Sequence, residues 1–113
     1  MTLFVGDRVY FGEEKRPYRV RAANERYAVA TKPLNPHKTV LYTVVDLVER
    51  VRGPEDLIFG MGAETDEGCE RMLSRVVSGE SGISQRHRID LWIKKVVRLA
   101  DVRCPEWIPK RLR

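Results

Sequence analysis

The sequence predicts an α+β fold: a small twisted antiparallel sheet or partly open barrel, capped by one amphipathic helix, with an extended basic C-terminal arm. Three observations predict it. Residues alternate with a period of two through the first half. The period switches to that of a helix after Thr65. Two prolines near the end, Pro105 and Pro109, prevent a last regular element.

The elements follow in order. Arg8-Val9-Tyr10-Phe11 reads as a short strand, and Gly12 to Pro17 as a polar turn. Tyr18-Arg19-Val20-Arg21-Ala22 alternates, which puts Tyr18, Val20 and Ala22 on one face and two arginines on the other. Asn24 marks a hairpin connection, and Tyr27 to Thr31 returns. Pro33 and Pro36 make residues 32–38 a stiff loop. Thr39 to Asp46 is β-branched, aromatic and apolar on both faces, which predicts a central strand. Gly53-Pro54 reads as the hinge of a turn over 50–56, with a short strand at Leu57-Ile58-Phe59.

Thr65 then stands as an N-cap before Asp66 and Glu67, two acids that suit the positive end of a helix dipole. Cys69, Met72, Leu73, Val76 and Val77 form its apolar stripe, and Ser78-Gly79 ends it. Residues 87–99 fit two patterns. Ile89, Leu91 and Ile93 alternate as in a strand, whereas Ile89, Trp92, Ile93, Val96, Val97 and Ala100 fit a helical face. The β-branched content favours the strand. The division is one domain over 1–103 and a basic tail over 104–113.

Charge is segregated. The chain has 113 residues and a net charge of +5, with 21 Lys+Arg against 16 Asp+Glu. Residues 1–85 hold 12 basic and 13 acidic residues, a net of −1; residues 86–113 hold 9 and 3, a net of +6. That asymmetry predicts a local electropositive surface. Its candidates are Arg86, Arg88, Lys94, Lys95, Arg98, Arg103, Lys110, Arg111 and Arg113, with Trp107 as an apolar anchor in the tail. In a strand, Arg86, Arg88, Lys94 and Arg98 share one parity and form a basic stripe. A secondary candidate is the cationic loop with Lys32, Asn35, His37 and Lys38.

Catalytic equipment is missing. His37 and His87 have no partner at ligand spacing, Cys69 and Cys104 form no CxxC, and no phosphate loop or nucleophile elbow occurs. No cofactor and no metal site is expected. No apolar run has membrane-spanning length, and Met1 to Asp7 does not read as a signal peptide, so a cytoplasmic chain is expected. Cys69 suits core filling.

Lys38-Thr39-Val40-Leu41-Tyr42-Thr43-Val44-Val45-Asp46 and Val51-Arg52-Gly53-Pro54-Glu55-Asp56-Leu57-Ile58-Phe59-Gly60 resemble a family of small uncharacterised proteins encoded by bacteriophages and prophages of proteobacteria. The resemblance covers about residues 5–95. It implies an extended return after Ser84 and action in the cytoplasm of a bacterial host cell. Many such accessory proteins bind a host machine, among them inhibitors of defence nucleases such as anti-CRISPR proteins. The resemblance assigns no site residue.

The resulting expectation is a non-enzymatic interaction protein that inhibits or redirects a host protein or nucleoprotein complex, such as a defence effector. The alternative is a nucleic-acid-binding accessory module using the same basic quarter. Trp107 and Ile108 also leave room for a homodimer through the tail.

Overall fold

A computed structural model describes residues 1–33, 40–57, 65–83 and 85–98. Seven strands, β1 (Arg8–Phe11), β2 (Tyr18–Ala23), β3 (Tyr27–Pro33), β4 (Val40–Asp46), β5 (Val51–Leu57), β6 (Ile89–Asp90) and β7 (Ile93–Val97), form one curled antiparallel sheet. Its order is β6-β5-β4-β3-β2-β1-β7. The first five strands are a meander. The short segment carrying β6 and β7 pairs first with β5 and then with β1, so it touches both ends of the meander. The partly open barrel that the alternation predicts is therefore a half-barrel bridged by its last strand pair. The helix α1 (Asp66–Val77) lies against β2 and β3.

Two apolar layers result. Inside the curl sit Leu3, Val9, Phe11, Tyr18, Val20, Ala28, Ala30 and Val45, with Leu91, Ile93 and Val96 against them. Between the sheet and α1 sit Ala22, Val29, Val44, Cys69 and Val76, flanked by Tyr27, Tyr42, Met72, Leu73 and Ile83. β4 explains its two-sided apolar sequence by serving both: Val45 faces in and Val44 faces the helix. Burying each such valine contributes about 1.5–3 kcal/mol.

The helix forms where its signals stand. The Thr65 hydroxyl accepts from the Gly68 N–H at 3.0 Å, and the helix ends at Ser78 before Gly79, whose φ is +85°. Val77 is a correction. It lies at the rim of the stripe in the last turn and is 56% exposed.

Three further readings change. Ala22 does not share a face with Tyr18 and Val20. Val20 pairs with Ala30 but Ala22 with Val29, a bulge that turns Ala22 toward the helix. The turn expected over 50–56 is strand β5. Gly53, at φ +150°, and Pro54 sit where the β4–β5 register shifts, and the bulge accommodates a proline that a regular ladder would not. Ile58 and Phe59 lie outside the described residues. Lys32 and Pro33 end β3 instead of opening a loop, and Asn35, His37 and Lys38 lie outside the described residues. The tail over 104–113 lies outside them as well.

Candidate functional site

The strand reading of the last segment holds, but the single basic stripe does not. Leu91 and Trp92 leave the ladder between β6 and β7, and a register shift opposite Tyr10 and Phe11 adds one more residue. Parity is therefore lost between Arg88, Lys94 and Arg98. The Arg88 guanidinium lies 3.6 Å from Glu49. Arg98 bonds the buried Asp7 carboxylate, donates to the Thr2 carbonyl at 3.3 Å and covers the Phe4 ring. Asp7 also accepts from the Phe4 N–H at 2.9 Å, so Arg98 fastens the N-terminal turn. Arg86 is exposed within a short 3-10 turn, Gln85–His87. Lys94 and Lys95 are exposed on the bulged strand, and Lys95 Nζ stands 5.7 Å from the centre of the Tyr10 ring. Arg103, Trp107, Lys110, Arg111 and Arg113 lie outside the described residues.

Lys32 is not a loop cation. Its ammonium is 3.2 Å from a Glu14 carboxylate oxygen and 4.6 Å from the centre of the Tyr18 ring. The other Glu14 oxygen accepts from Arg52 at 3.4 Å. This cluster is largely enclosed and braces one end of the curl.

The register creates a cationic face that the sequence pattern does not show. Arg8 of β1 stands directly opposite Arg19 of β2, and both are exposed. Lys95 of β7 stands opposite Tyr10 of β1 on the same outer side. Arg21, on the bulge, continues the face toward α1. Its Nε donates to Asp66 at 2.8 Å and its Nη1 to the Thr31 hydroxyl at 3.3 Å. The hydrogen bond and charge of Arg21 hold the Asp66 carboxyl below its usual pKa, burial opposes this weakly, and the charge of Arg19 adds to the lowering. The positive field of β2 therefore reaches the start of the helix. Like charges directly across a strand pair cost a few tenths of a kcal/mol up to about 1 kcal/mol. An anion laid across Arg8 and Arg19 removes that cost. The signal available in the sequence was the pair Arg19 and Arg21 on a polar face; Arg8 joins it only once register is known.

Among the described residues no three His, Cys, Asp or Glu side chains are grouped to hold a metal ion. Cys69 is buried on the sheet-facing side of α1. Among the same residues no helix is long and apolar enough to cross a membrane. What the face can do chemically is hold anions by charge and hydrogen bonding. Comparison with protein-family models, curated proteins and solved structures finds no match, so the cationic face stands on its own geometry.

Proposed function

We propose that this chain is a non-enzymatic interaction protein that binds the anionic surface of a partner through Arg8, Arg19, Lys94 and Lys95. The single observation that carries the proposal is the exposed Arg8–Arg19 pair on adjacent strands, extended by Lys95 on β7. A rigid sheet holds these charges at fixed spacing without the ordering cost of a loop. The resemblance to phage-encoded proteins supplies the setting: a host complex in the bacterial cytoplasm, such as a defence effector, inhibited or redirected because one of its surfaces is occupied. Arg86 and the basic residues after Arg98 add to the same attraction.

A second reading is direct nucleic-acid binding, favoured by Tyr10 lying beside Lys95 and two residues along β1 from Arg8. Aromatic rings among phosphate-binding cations suit single strands.

The test is capture from a bacterial host lysate, with and without nuclease, using the wild-type chain and the double variant Arg8→Glu/Arg19→Glu. The first reading expects a stoichiometric protein that survives nuclease and is lost with the variant. The second expects the captured material to vanish with nuclease, and a labelled oligonucleotide to bind with affinity falling steeply as salt rises. Partners retained in full by the variant would show that this face is not the binding surface.

A further inference from the structure

Trp92 lies in the short stretch between β6 and β7 and is 61% exposed. Two contacts with Gly12 position it. Its carbonyl accepts from the Gly12 N–H at 2.8 Å, and its ring lies against Gly12 so closely that a Cβ there would meet Cε3 at 3.3 Å. Gly12, with φ +51°, is thus a seat for the indole. Beside the ring is a cleft of about 240 Å³ lined by Met1, Leu47, Arg50, Leu91, Trp92 and Ile93. Five of these six carry apolar side chains, and polar atoms share the wall with them. The sixth, Arg50, is exposed and has φ +58°, the one non-glycine residue with positive φ among the described residues. Its carbonyl accepts from the Leu91 N–H at 3.0 Å. A glycine would hold this turn with less strain, yet the position carries a cation.

We infer that this cleft receives one bulky apolar or aromatic side chain of a partner protein segment, with a neighbouring carboxylate of that segment on Arg50. Three observations select this occupant. The volume is below the roughly 300–1,000 Å³ of small-molecule sites and suits a single side chain. A pre-ordered exposed tryptophan is the usual centre of a protein contact. Acids also stand next in sequence to the cleft and its seat, with Glu49, Asp90 and Glu13 exposed around Arg50, Leu91 and Gly12. A polyphosphate strand is repelled there, whereas a peptide pairs its carboxylate with Arg50 and tolerates the rest. The inference is independent of the Arg8–Arg19 face, whose charge reversal leaves the cleft's lining untouched.

The test selects binders to the full chain from a library of random short linear peptides. The expected peptides share one large apolar residue with Asp or Glu next to it or one position away. Trp92→Ala and Arg50→Gly should each weaken the selected peptides by about 30-fold. Arg50→Gly should leave thermal stability unchanged or higher, which keeps the test sound if Trp92→Ala folds poorly. Peptides without the acidic–apolar pair, or equal binding by Arg50→Gly, would overturn the inference. So would oligothymidylate quenching Trp92 emission in competition with the peptides, which makes the occupant a nucleic acid. A concentration-dependent dimer abolished by Trp92→Ala would make it a second copy of this chain and overturn it too.

Discussion

The Arg52 guanidinium lies 4.3 Å from the centre of the Phe11 ring, inside the curl of the sheet. Tyr18 meets Phe11 edge to face at 5.4 Å, and Lys32 covers Tyr18. Two enclosed cations thus meet at the Glu14 carboxylate and cover two aromatic faces. A cation over a ring gains about 0.5–2 kcal/mol when desolvated, which lessens the burden on Glu14.

Removing that carboxylate should be more harmful than removing a cation. Glu14→Gln removes a carboxylate that touches both Arg52 and Lys32, with an expected loss of about 1–3 kcal/mol. Arg52→Met keeps the packing against Phe11 and should cost less. Denaturant midpoints of the two variants check the order; a smaller loss for Glu14→Gln would show that Glu14 is not what holds the cations in place.

Acid should weaken the fold through two aspartates. Burial pushes the Asp46 carboxyl up, but hydrogen bonds from Arg26 and from the Glu49 and Val48 N–H groups outweigh it and hold the pKa down. Asp66 is lowered by Arg21. A carboxylate lowered in the folded state stabilises above its unfolded pKa of about 3.9, and that stability is lost as pH falls through the folded value. Melting temperatures should therefore be steady from neutrality to about pH 5 and drop below about pH 4. Asp46→Asn should lower the melting temperature at pH 7 and flatten the acid-side decline.

Gly12→Ala should cost about 1–2 kcal/mol, because the new methyl presses on the Trp92 ring and φ is positive. Trp92 emission should shift as the ring lifts away. Unchanged emission and stability would show that the indole is not seated on Gly12.

Arg19→Thr should stabilise the domain by a few tenths to about 1 kcal/mol while weakening partner binding. Such opposite signs are expected where a sheet keeps facing like charges for a ligand. A stabilised variant with intact binding would make the Arg8–Arg19 pair incidental.

Much of this was legible in the sequence where one residue type had one physical reading. Tyr18 and Val20 alternated into the core, and Thr65, Asp66 and Gly79 bounded the helix. Asn24 closed its hairpin by accepting from the Arg26 and Tyr27 N–H groups. What escaped depended on the count of residues between strands. The bulge past Val20 sent Ala22 to the opposite face, Gly53-Pro54 looked like a turn but kinked a strand, and the extra residue on β7 dispersed the stripe expected from Arg88 to Arg98. The site suffered most. Facing residues such as Arg8 and Arg19 are set by register, and Arg98, which follows the residue paired with Arg8, is engaged by Asp7.

The pairing of β1 with β7, Arg8 against Val97, also sets a timetable for synthesis. A ribosome releases Arg8 early and Val97 much later. Until then β1 offers one side of its backbone to any passing strand. A nascent chain halted before Ile93 lacks the residues that pair with Val9 and Phe11. The gradient from early to late residues is thus also a gradient of vulnerability to proteases and chaperones, and it closes only when the last strand arrives.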